Sequence, residues 1–109
     1  RKNSKGITWT RLENLSSLGT PDLLGYNDFG HFFTVELKVT RGYKLKFSAH
    51  QIAFHKTHPT NTFILAEGLG PRSVKLFRGS RIMELVASGL ELEACRLGLG
   101  ASVYYLKSL

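Results

Sequence analysis

The apolar and polar positions of this chain alternate with two periods. Ile7 to Glu13 (ITWTRLE) is rich in β-branched and aromatic residues and alternates in part, which predicts a strand with Ile7, Trp9 and Arg11 on one face. After SSLGT, a turn composition, Pro21 lacks an N–H and suits the start of a strand on an exposed side. Asp22 to Tyr26 and Phe32 to Val39 read as two strands around Asn27-Asp28-Phe29-Gly30. The period then changes to that of a helix. Ser48 and Gln51 form an S-x-x-Q capping box, Ala49, Ile52, Ala53 and Lys56 follow at helical spacing, and Pro59 marks the end. Thr62 to Glu67 (TFILAE) reads as a buried strand and Ser73 to Phe77 (SVKLF) as a shorter neighbour across a GLGPR turn. Ser80 to Ser88 has Ile82, Leu85 and Val86 at helical spacing and closes at Gly89. Residues 90 to 109 fit either a short helix or a helix followed by a strand. The expected fold is a small mixed α/β sandwich in a single domain over residues 1 to 109.

The hairpin carries charges that its pattern does not explain. With Asp28, Phe29 and Gly30 as a three-residue loop and Gly30 in the left-handed conformation, Tyr26 pairs with Phe32, Leu24 with Thr34 and Asp22 with Glu36. Opposed residues have Cβ atoms about 4.5–5.5 Å apart, and two acids that close repel unless a cation lies between them. Alternation puts Lys38 on the face of Glu36 and turns Phe33, Val35, Leu37 and Val39 toward the core. Ions on a core-building strand carry a desolvation cost that calls for a metal, a partner or a substrate.

Bulk composition adds a partner class. The chain has 109 residues, 42% hydrophobic and 21% charged, which is ordinary for a folded domain. Its 15 Lys and Arg against 8 acids give a formal charge of +7 and favour a polyanion partner over simple solubility. Cys95 is the only cysteine, so no internal disulfide can form, and its LELEACRLG setting reads as that of a small buried hydrophobe. No apolar run approaches the roughly 18 residues that cross a bilayer and no signal peptide opens the chain, so a soluble, cytoplasmic protein without membrane contact is expected.

Asp22, Glu36 and Lys38, with Leu37 between, match a PD…(D/E)-x-K pattern, and GTPDLLG, F-x-VELK, KLKFS and SAHQ complete the likeness over about residues 19 to 67. The chain resembles the PD-(D/E)XK nuclease superfamily, most closely the small VRR-NUC and Holliday-junction-resolvase-like phage nucleases. The resemblance implies a restriction-endonuclease-like mixed sheet flanked by helices, and Mg²⁺-dependent hydrolysis of DNA phosphodiester bonds, with Mn²⁺ able to substitute. It assigns Asp22, Glu36 and the Leu37 carbonyl to the metal and Lys38 to the attacking water and the phosphate. Gln51 aligns with a recurrent Gln that holds water or phosphate, although the capping box already gives it a structural role. Relatives carry a further acid on a helix well before the PD. Here either Glu13, only nine residues before Asp22, takes that place, or the acid lies upstream of Arg1.

Arg11, Arg41, Lys44 and Lys46 flank the site in sequence and are candidates for phosphate contacts, or else solvated loop charge. His50, His55 and His58 invite a zinc reading, and His55 and His58 have i, i+3 spacing, but no third soft ligand lies at a plausible distance, so zinc is disfavoured and a surface or phosphate-facing position is expected. The alternatives to a structure-selective endonuclease are a sequence-specific one, an inactive nucleic-acid-binding module on the same fold, and an assembly subunit with a basic face. Cutting both strands of a symmetric substrate calls for two sites, which makes a homodimer the default partner state.

Overall fold

In the computed structural model, which describes residues 5–12 and 19–109, one mixed sheet runs through the molecule. Its strands are β1 (Ile7–Arg11), β2 (Leu23–Asn27), β3 (Phe32–Thr40), β4 (Thr62–Gly68), β5 (Ser73–Arg78) and the short β6 (Arg96–Leu97), adjacent in that order. Three helices are described: α1 (Ala49–Thr57) between β3 and β4, α2 (Ile82–Ser88) after β5, and α3 (Leu99–Lys107) after β6. All neighbours are antiparallel except β3 and β4. That pair is parallel because α1 carries the chain back across the sheet, the connection a parallel pair requires.

The β2–β3 register is the one the loop chemistry predicts. Tyr26 lies opposite Phe32 and Leu24 opposite Thr34, while Gly30 adopts a φ of 82°. The Asn27 side chain accepts from the Phe29 and His31 amides, which ties the loop together. Each sheet face has its own core. On one, α3 brings Leu106 over Leu23, Phe33, Val35, Phe63 and Leu76. On the other, Ile64, Ala66 and Phe77 meet Ile82, Leu85, Leu90 and Leu45, with Ile52 of α1 against them. β4 therefore serves both cores, which accounts for its nearly uninterrupted apolar sequence.

Several expectations change. Leu37 and Val39 do not enter the core: they are 37% and 63% exposed, because α3 covers the Phe33–Val35 end of their face and leaves the far end of β3 open. Pro21 is fully buried rather than on an exposed side, since its segment runs close under the start of α1. His55 is the buried residue of α1, not a surface histidine. Residues 90 to 109 form neither expected arrangement but a two-residue strand followed by a helix. The helix starts late because Gly98, at a φ of 88°, turns the chain only after β6 has paired with β5. Cys95 is a free thiol and only half-buried. Among the described residues no helix is long and apolar enough to cross a membrane.

Candidate active site

The candidate site lies where β2 begins and β3 passes under α1. The β2–β3 ladder starts at Leu23 opposite Val35. Two residues further along this register Pro21 would face Leu37, and Pro21 has no N–H to give the Leu37 carbonyl. The Leu37 amide instead donates to Asp22 Oδ2 at 2.7 Å, so a carboxylate takes the place of the missing rung. An amide and a carbonyl of one strand residue point to the same side, so the Leu37 carbonyl is directed to the same gap. The Pro-Asp pair thus ends the ladder and aims an acid at β3 in one step.

Glu36 and Lys38 project from β3 on the face covered by α1, in register with Ile64 and Ala66. Glu36 is only 3% exposed, and its Oε1 has no hydrogen-bond partner. Burial, then the neighbouring Asp22 carboxylate, pushes the Glu36 carboxyl up to about 7; Lys38 opposes the rise without cancelling it. The two acids are thus close enough for the charge of one to bear on the other.

Gln51 ties this pair to the helix. Its Oε1 accepts from the Ser48 amide at 2.9 Å and from Lys38 Nζ at 3.0 Å, and its Nε2 donates to Glu36 Oε2 at 2.9 Å. Both groups facing the oxygen can only donate, which fixes the amide orientation and leaves the NH₂ for Glu36. The Ser48 hydroxyl completes the capping box by accepting from the Gln51 amide at 3.1 Å. The two readings of Gln51 therefore coincide, since one side chain both caps α1 and reaches Glu36 and Lys38. Phe47, which sequence reasoning did not single out, lies under Lys38 with the ammonium 4.7 Å from its ring centre. The hint was its place between KLK and the cap.

Gly19 sets how close the Pro-Asp segment comes to α1. It has a φ of 80°, and a Cβ there would collide with the His50 carbonyl. Gly19→Ala is expected to lower stability by about 2 kcal/mol or more, through overpacking and backbone strain, as read by urea denaturation.

The remaining candidates separate. Arg41, Lys44 and Lys46 are exposed and line, with Lys38, one groove of about 380 Å³ beside the site. Arg11 is on β1, on the far side of β2 from β3, and does not join that groove. Glu13 lies outside the described residues. His50 and His58 are exposed, whereas His55 is enclosed beneath α1 with both ring nitrogens unpartnered, and burial lowers its pKa to about 4. Among the described residues no three His, Cys, Asp or Glu side chains converge. Two carboxylates and a main-chain carbonyl still suit Mg²⁺, which takes few protein oxygens and keeps several waters. The unpartnered Glu36 oxygen is an available donor of the right kind.

Comparison of the chain with protein-family models, with curated proteins and with solved structures finds no match.

Proposed function

We propose that this protein is a metal-dependent DNA endonuclease with a restriction-endonuclease-like fold, acting on structured DNA in the manner of VRR-NUC or junction-resolving nucleases. One observation carries the reading: Asp22 and Glu36, fourteen residues apart, meet at the head of a ladder with Lys38 and Gln51 hydrogen-bonded beside them. A buried carboxyl beside a second acid opposes folding when ionised, unless it serves something that binds there. The net charge of +7 and the basic groove next to the pair suit a polyanionic substrate.

Asp22, Glu36 and the Leu37 carbonyl would hold Mg²⁺. The bound ion would polarise a phosphate oxygen and acidify a water. The chain's own residues divide the remaining work. The Leu37 amide holds the Asp22 carboxylate in place, and Gln51 does the same for Glu36. Lys38, steered by Gln51 and the Phe47 ring, offsets phosphate charge and orients the attacking water, so no covalent enzyme intermediate is needed. Arg41, Lys44 and Lys46 would contact the DNA backbone.

The test is cleavage of duplex, nicked and branched DNA with Mg²⁺. Glu36→Ala and Lys38→Ala are each expected to cut at about a hundredth of the wild-type rate or below it. Equal cleavage by all three proteins would sink the assignment, and tight binding without metal-dependent cutting would point to an inactive binding module.

A further inference from the structure

The nuclease reading leaves open which form of DNA the site receives, and an exposed aromatic pair on the same sheet face bears on that question. Phe32, Thr34 and Glu36 alternate with the buried Phe33 and Val35 and so share the α1 face; Tyr26, opposite Phe32, shares it too. Tyr26 and Phe32 are 41% and 58% exposed, with ring centres 4.5 Å apart. Among the described residues neither ring belongs to a core cluster. The β3–β4 ladder begins at Thr34, so Phe32 precedes it, and the Phe32 carbonyl accepts from Asn61 Nδ2 at 3.1 Å. Phe54 and His58 form a second stacked pair, with ring centres 4.4 Å apart, on α1.

We propose that Tyr26 and Phe32 form a stacking platform for an unpaired DNA strand connected to the Asp22–Glu36 site. Exposed ring faces take bases only where those bases have left their own stack, so the pair discriminates single strand from duplex. Phe32 and Glu36 are four residues apart, about 13 Å along a strand at ~3.3 Å per residue. That spans about four stacked nucleotides at ~3.4 Å each. The cations lie at the other end: Lys38, Arg41, Lys44 and Lys46 gather around the far end of β3. Phosphates are thus met on one side of the acids and unpaired bases on the other, the arrangement a flap or splayed junction arm requires.

This inference rests on the nuclease reading for where the strand leads, but its test is independent of cutting. Binding of a labelled oligothymidine of about ten nucleotides is measured by anisotropy in EDTA, alongside a duplex of the same length. Tyr26→Ala/Phe32→Ala is expected to bind the oligothymidine about tenfold more weakly and the duplex equally well, with thermal unfolding still cooperative and its midpoint lowered by about 5 °C through loss of the cross-strand ring contact. Tyr26→Phe/Phe32→Tyr is expected to retain wild-type affinity, and each single Ala variant to lose part of it. Unchanged oligothymidine affinity in the double Ala variant, an equal loss on duplex, or no binding by wild type would overturn the proposal. So would a wild-type dimer that the double Ala variant turns into monomer, since the rings would then face a second copy. If wild type shows the expected binding pattern but cuts nothing, the platform stands and the nuclease reading falls. If it cuts duplex while the double Ala variant keeps its oligothymidine affinity, the reverse holds.

Discussion

Glu36→Gln, in EDTA at pH 8, is expected to be more stable than wild type by about 3 kcal/mol while losing metal-dependent cleavage. The folded chain holds the Glu36 carboxyl near 7, against 4.5 for an unperturbed one, chiefly by burial and then by Asp22. A raised carboxyl pKa means that the folded state binds more protons than the unfolded one between those values. Its contribution to stability is complete below pH 4.5 and is lost as pH rises through 7, at about 1.4 kcal/mol for each pH step of one between the two values. Glutamine carries no charge to desolvate. Its oxygen can still accept from Gln51 Nε2, and its amide can face Asp22. At pH 5, where most of the folded carboxyl is protonated, the advantage should shrink to about 1 kcal/mol. Urea denaturation at the two pH values measures both gaps, and equal stability of the two proteins at pH 8 would show that Glu36 opposes nothing. Mg²⁺ at about a hundred times its dissociation constant should return about 2.7 kcal/mol to wild type and nothing to the variant.

His55→Leu should show the opposite pH dependence. Burial, then His58 and Lys38, lowers the His55 pKa from 6.5 to about 4, and neither ring nitrogen has a partner. A lowered imidazole pKa means that the unfolded state binds more protons between those values. The stability it confers is present above pH 6.5 and is lost as pH falls through 4. At pH 4.5 the variant should exceed wild type by about 2.5 kcal/mol, whereas at pH 7.5 the two should agree within about 1 kcal/mol, leucine being of similar volume. The two slopes nearly cancel in wild type between pH 4.5 and 6.5. Each becomes visible when the other residue is replaced: stability of Glu36→Gln should rise with pH across that window, and that of His55→Leu should fall. A flat profile in either variant would contradict the displaced pKa of the residue it retains.

The difference between these two residues marks how far the chain could be read without coordinates. Glu36 could be found because its chemistry conflicts with its surroundings: an acid in an apolar alternating run, paired by loop length with another acid. His55 could not. Its neighbours in α1 are Phe54 and Lys56, and the helix has no clear apolar stripe to show which side faces the sheet. What decides its burial is the crossing of α1 over β4 and the close approach of Gly79, where a Cβ would lie 2.7 Å from His55 Nδ1. Leu37 and Val39 failed for a related reason. Alternation assigns residues to a face, but only α3, about sixty residues further on, decides how much of that face is covered.

Local rules were sufficient wherever both partners lie within a few bonds of one another. Gly30 and the three-residue loop set the β2–β3 register, Ser48 and Gln51 capped α1, and the β4 and β5 strands fell where their apolar runs lie, because turn conformation, capping and side-chain period are short-range steric facts. The meeting of Asp22 with Glu36 follows from that register and was legible for the same reason. The rest depends on contacts between segments far apart in the chain. The link from Gln51 to Glu36 and Lys38, the Phe47 ring under the ammonium, the enclosure of His55 and the exposure left to the Tyr26–Phe32 pair all depend on how helices settle on the sheet. That settling is governed by the fit of the two cores as wholes, which no single stretch of sequence encodes.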